Sequence, residues 1–138
     1  MNRVILDTGP LVAWFCPRDE HHRWARRVFP ALSPVSLICE AVLTEVCHLV
    51  AKEGISHAQI TESIAAGRLN VVSLASDIRV VAKLLRRYAD TPMDFADACV
   101  VRLAELNSGL KVCTVDSHFQ FFRKNIGEEI GLLAPFVG

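Results

Sequence analysis

Two short apolar runs in this chain end on a carboxylate. VILDTG places Asp7 after Val4, Ile5 and Leu6, and KVCTVDSHF places Asp116 after Val112 and Val115. Such runs read as parallel strands buried on both faces, and open α/β sheets put ligand sites beyond the carboxyl ends of their strands. Two more acids interrupt stretches that otherwise read as core helix, Glu45 in AVLTEVCHLV and Asp97 in MDFADACVV. Four hard oxygen donors without accompanying His or Cys suit Mg²⁺ or Mn²⁺ rather than Zn²⁺. A cation so held polarises a phosphodiester, activates water and stabilises the leaving oxygen, which is nuclease chemistry.

Taken singly, each acid also has an ordinary use. Asp7 precedes the turn Thr8-Gly9-Pro10 and can cap the helix that follows. Glu45 lies on or beside the apolar stripe of its helix, with Ala41 and Val42 a turn before it and Leu49 a turn after. A buried carboxylate there needs a cation, whereas one at the border of the stripe reaches solvent or a basic side chain. Glu40, a turn earlier, reads as a solvated first-turn acid favoured by the helix dipole. With Thr91 as cap and Pro92 at the first helical position, Asp94 supplies the carboxylate of a capping-box-like start. Asp97 lies a turn further in, where capping explains less. Asp116 can cap the turn opened by Ser117 and His118, with Thr114 on the same side of the pleat two residues earlier. All these uses must hold at once while the acids converge on strand ends and helix starts, and that coincidence is the weaker reading.

The elements that must position the acids follow from periodicity. Strands are expected at 3–7, 34–37, 69–74, 111–116 and 131–135. Helices are expected at about 10–15, 20–30, 38–53, 57–67, 76–89 and 93–107, with a short piece after Asp116. Gly54 and Gly109 read as helix stops, and Ser56, Ser76 and Thr91 with Pro92 as helix starts. Strands alternating with helices imply βαβ units around a parallel sheet, in three layers from end to end.

With 138 residues there is room for one domain, and no repeat or linker divides it. The hydrophobic share of 51% and mean hydropathy of +0.31 point to thoroughly buried strands and an apolar oligomer surface, since no apolar run approaches the ~18 residues of a membrane span. Asp7, Gly9 and Pro10 break up any export signal, so the expected location is cytoplasmic. Five scattered cysteines without CxxC spacing read as buried free thiols. Fifteen basic and fifteen acidic residues cancel, so any contact with nucleic acid must be local. Arg23, Arg26 and Arg27, then Lys83, Arg86 and Arg87, then Arg123 with Lys124 are the clusters available for it. His21, His22 and Trp24 read as surface or partner contacts, His118 as a first-turn residue, and Trp14, Phe15, Phe119, Phe121 and Phe122 as core or interface aromatics.

The motifs LDTGPLVA, EAVLTEVCHL, PMDFADACVVRLAE and CTVDSHFQFFR, in this order and spacing, resemble the PIN-domain ribonucleases, particularly VapC-like toxins of toxin–antitoxin pairs. The resemblance covers nearly the whole chain, read as a single PIN domain over 1–138. It implies a three-layer α/β/α domain with a five-stranded parallel sheet and a Mg²⁺-dependent endoribonuclease site at the sheet's C-terminal edge, with Mn²⁺ as a substitute cation. Carried over by position, the catalytic and metal-binding acids are Asp7, Glu45, Asp97 and Asp116. Asp7 and Asp97 are the principal ligands, and Asp94, Thr8 and Thr114 are auxiliary. One cation on Asp7 and Asp97, or two spread over all four acids, satisfies the same spacing. The implied reaction is in-line attack of activated water on an RNA phosphodiester, leaving a 5′-phosphate and a 3′-hydroxyl. The implied partners are RNA, a cognate antitoxin whose tail covers the acidic pocket, and a second copy of the chain.

Two other classes stay open on the sequence. One is a PIN-like module that binds RNA or protein without cleaving, its acids being structural. The other rests on LDTG, which resembles the active-site loop of retroviral-type aspartic proteases. The helical periods around Glu45 and Asp97 contradict that all-β fold.

Overall fold

Val4, Ile5 and Leu6 have no polar side chain to offer solvent, and in the computed structural model, which describes residues 2–125 and 127–137, they form a central strand buried on both faces. This is β1 (Val4–Leu6). It pairs in parallel with β2 (Leu37–Cys39) on one side and β4 (Lys111–Cys113) on the other. Outside these lie β3 (Asn70–Val72) and β7 (Leu132–Leu133), giving a five-stranded parallel sheet in the order β3-β2-β1-β4-β7. The expected α/β class and the five-stranded parallel sheet are both present.

The helices are α1 (Thr8–Phe15), α2 (His22–Val28), α3 (Glu40–Ala51), α4 (His57–Ser63), α5 (Ile78–Arg87) and α6 (Phe95–Leu106). In the three-layer α/β/α arrangement α1 packs on α2 and α3, and α3 on α4. The apolar helix α6 packs on α5 and on β1 and β4. All five cysteines are buried free thiols, as expected. Among the described residues no helix is long and apolar enough to cross a membrane.

Three boundaries move from their sequence positions. The second strand, expected at 34–37, runs from Leu37 to Cys39, because residues 33–36 close a turn through Ser36 N–H to Ser33 O. Pro34 has no N–H for a ladder, and the Ser36 hydroxyl is used instead to accept Val4 N–H. Helix α6 starts at Phe95 rather than near Pro92, because Asp94, not Thr91, is its N-cap. The helix expected at 57–67 ends at Ser63 and continues as a π-turn over Ile64–Arg68 that closes on Gly67 at φ 85°, a left-handed conformation that costs glycine little. An antiparallel pair, β5 (Arg123–Lys124) with β6 (Glu128–Glu129), was not expected, since two residues per strand leave no period to read.

Candidate active site

Sheet register brings the two strand-end acids together. Leu6 stands opposite Cys113, and Asp7 N–H donates to Cys113 O at 3.0 Å, so Asp7 and Asp116 leave adjacent strands at the same edge. Asp7 is only 6% exposed and makes no side-chain cap to α1. Its Oδ2 accepts the hydroxyl of fully buried Thr114 at 2.7 Å, and the Thr114 oxygen accepts Asp116 N–H at 2.9 Å. One threonine therefore ties both acids to the end of β4. Across the site Thr8, the first residue of α1, donates its hydroxyl to Glu45 Oε1 on α3 at 2.6 Å. Glu40 is an exposed first-turn acid, as expected.

Asp97 enters from α6. Its Oδ2 accepts Asp94 N–H at 3.0 Å, while Asp97 N–H donates to Asp94 Oδ1 at 2.9 Å, a reciprocal capping box. Capping thus explains more of Asp97 than its spacing implies, and Asp94 is the exposed half of the pair. Asp116 is also a cap: its Oδ1 accepts His118 N–H at 2.9 Å and faces His118 Nδ1 at 2.7 Å. With Asp116 ionised, Nδ1 carries the proton it donates. The cap to the turn opened by Ser117 and His118 is as expected, while the contact with the His118 ring was not foreseen. Sequence reasoning also missed Gly9, where a methyl group would collide with Val115 Cγ2. Only glycine lets the start of α1 lie this close to the segment that carries Asp116.

The acids feel each other's charge. Burial raises the Asp7 carboxyl from 3.8 to about 6; hydrogen bonds from Thr114 and the Thr8 backbone oppose the rise, and the charges of Asp116 and Glu45 add to it. Burial likewise raises Asp97 to about 8, opposed by the Asp94 amide and reinforced by Asp94, Asp7 and Asp116. Among the described residues no Lys or Arg pairs with Asp7, Glu45, Asp97 or Asp116, and the basic side chain in contact with them at this edge is His118, against Asp116. A largely desolvated cluster of carboxylates with no Lys or Arg paired to it is a site short of positive charge.

Its donor chemistry fits a hard divalent cation: carboxylates, two hydroxyls, and neither thiolate nor lysine among the groups that face one another. Among the described residues, however, no three acidic, His or Cys side chains stand close enough to enclose an ion as they are. Like charges keep apart, and an oxygen of each acid is engaged by a hydroxyl or an amide. The basic clusters are dispersed. Arg26 lies over the Trp14 ring at 5.2 Å, and Lys83, Arg86 and Arg87 are exposed on α5. Lys124 is buried and gives Nζ to Ser108 O at 2.7 Å, so it is a structural lysine rather than a free contact.

A parallel sheet of this order with acids from β1, α3, α6 and the end of β4 defines a class of protein. The PIN domain family model matches residues 4–125, and the chain belongs to that family. Three solved structures share the fold. The VapC20 toxin of Mycobacterium tuberculosis, described as cleaving the sarcin–ricin loop, is 21% identical with a TM-score of 0.68, over 83% of this chain and 90% of that one. A toxin–antitoxin complex from Klebsiella pneumoniae is 21% identical with a TM-score of 0.64, over 83% and 87%. FitAB bound to the IR36 DNA fragment is 18% identical with a TM-score of 0.60, over 96% and 94%. No curated protein matches the chain by sequence.

Proposed function

We propose that this chain is a Mg²⁺-dependent endoribonuclease, with Mn²⁺ as a working substitute, and the toxin of a toxin–antitoxin pair. The observation that carries the reading is that buried Asp7 and half-buried Glu45, Asp97 and Asp116 face one edge of the sheet with no Lys or Arg paired to them among the described residues, in a chain of the PIN family. Bound there, the cation supplies charge neutralisation and polarises the phosphodiester. Asp7 and Asp97, whose carboxyls are the most perturbed, are the principal ligands. Thr114 aims Asp7, the capping box with Asp94 aims Asp97, and Thr8 aims Glu45. Glu45 and Asp116 complete the pocket and orient the attacking water. Water attacks phosphorus in line, the bond to the 3′ oxygen breaks, and that oxygen takes up a proton, leaving a 5′-phosphate and a 3′-hydroxyl.

The partner is an antitoxin. An apolar cavity of about 320 Å³ opens between α1, the end of α2, α3 and α4, lined by Leu11, Trp14, Phe29, Leu43, Val46 and Ile60. Its walls lack apolar cover, and an apolar segment of an antitoxin supplies it. We further take residues 1–138 as one PIN domain, acting in the cytoplasm as a homodimer.

Cleavage of labelled RNA, including a sarcin–ricin-loop oligonucleotide, is expected with Mg²⁺, to stop with EDTA, and to be abolished by Asp7→Asn and by Asp97→Asn. Cleavage surviving both substitutions overturns the metal-site reading, and absence of Mg²⁺-dependent cleavage by the wild-type chain leaves a binding module.

A further inference from the structure

The run Phe119-Gln120-Phe121-Phe122 splits. Phe119 and Phe122 are fully buried and meet edge to face at 5.1 Å, with Tyr88 closing the cluster at 5.3 Å from Phe122. Phe121 turns the other way and is 64% exposed, the most of any large apolar residue described. Of the two expectations for Phe121, core or interface, the core one is therefore excluded. Its N–H donates to His118 O at 2.9 Å, one turn beyond the Asp116–His118 pair. A second ring has the same character: Phe95, 49% exposed, opens α6 between Asp94 and Asp97. Each of these rings left in water stands on a short segment that carries one of the site carboxylates.

The charge pattern says what such rings are for. Fifteen basic residues offset fifteen acidic ones, and the site itself is acidic, so phosphate neutralisation is confined to local groups such as exposed Lys83, Arg86 and Arg87. Unpaired bases bind without it, because every base offers a π-face to an aromatic side chain. We propose that Phe121 and Phe95 are stacking platforms for unpaired RNA bases on the two sides of the phosphodiester held at the acidic site. This inference rests on the nuclease reading for its substrate. The rings would make recognition tolerant of base identity.

The test uses the full chain in an Asp97→Asn background, with binding to a labelled single-stranded RNA followed by fluorescence anisotropy. Phe121→Ala and Phe95→Ala are each expected to weaken binding on the order of tenfold. Phe121→Trp should restore affinity, and Phe121→Leu, equally apolar, should not. An RNA with abasic riboses at the stacked positions should bind the wild-type ring and the alanine variants alike. The proposal falls for a ring whose alanine variant binds intact RNA like the parent, or loses equally on intact and abasic RNA. It falls for Phe121 if leucine restores binding, or if light scattering shows that the loss follows dissociation of a dimer, which would assign the ring to contact between copies. Because binding is read without cleavage, a chain that still cuts RNA as Asp97→Asn refutes the role given to Asp97 in the proposed metal site, while the stacking result stands separately.

Discussion

Two unfinished regions meet across β1, and they are unfinished for opposite reasons. Leu6 ends β1 against the apolar cavity, and the next residue, Asp7, enters the acidic site. Helix α1 divides likewise, with Thr8 bonded to Glu45 and Leu11, Trp14 and Phe15 lining the cavity. Helix α3 sends Glu45 one way and Leu43 and Val46 the other. The cavity lacks apolar contact, and the site lacks positive charge. On the proposed function one is completed by surface removed from water and the other by a cation, so the two should respond to different perturbations although they share two helices.

The sharpest way to break the comparison is to neutralise the acidic side. Asp97→Asn and Asp7→Asn should each lower cleavage by more than about a hundredfold, beyond what supporting groups around a metal cost. The same changes should stabilise the metal-free protein. Burial raises the Asp7 carboxyl from 3.8 to about 6 and Asp97 to about 8. With folded values above unfolded ones, their contribution favours folding at acid pH and is lost as pH rises through about 6 and then about 8. For buried Asp7 the loss is about 3 kcal/mol. In EDTA the melting temperature should fall over that window relative to either Asn variant, and Mg²⁺ should remove the difference. A wild-type chain with no pH slope relative to the variants would show that the Asp7 and Asp97 carboxyls are not raised.

On the apolar side, Trp14→Ala removes a ring that stacks on Phe29 at 5.0 Å and helps line the cavity. Affinity for the antitoxin should fall at least about tenfold, in the range of aromatic interface anchors, while cleavage by the free chain persists. Equal loss of both would mean that the two regions are not separable.

Much of the acidic side was legible in sequence because strand ends and helix starts are local. Short Val, Ile and Leu runs announced β1 and β4, and the acid that follows each lands at the same sheet edge once register is set. What stayed hidden was contact between distant segments. Thr8 and Glu45 are 37 positions apart, and nothing local says that their side chains meet. Asp94 displaced Thr91 as cap because its reciprocal bonds with Asp97 satisfy two backbone amides at once. The cavity was not legible at all, since its apolar residues have the same helical spacing as a closed core. Phe121 was hidden likewise, as one aromatic among three in a run.

A smaller effect tests how closely the two strand-end loops must approach. Gly9→Ala puts a methyl group against Val115 Cγ2. Overpacking of this kind costs about 1–3 kcal/mol. The expected result is a lower melting temperature together with reduced cleavage, as the segment carrying Asp116 is pushed from Asp7. Adding Val115→Ala should restore both. Failure of the double variant to recover would place the defect elsewhere in α1.

The smallest effect on cleavage is expected at Asp116. Its side chain is 33% exposed, and its Oδ1 already receives two donors from His118, so water and the imidazole share the charge that burial isolates on Asp7. Asp116→Asn keeps the cap to His118 N–H and removes one negative charge from those facing Asp7 and Asp97. Cleavage should drop about tenfold, in the range of outer-shell groups, and mainly in kcat, since the group orients water rather than holding the strand. The loss of charge should also lower the Asp7 carboxyl slightly, with burial still holding it above its ordinary range, so the pH dependence of the melting temperature in EDTA should change little. A loss as large as that of Asp97→Asn would instead make Asp116 one of the principal ligands and require the site to be drawn around β4 as much as β1.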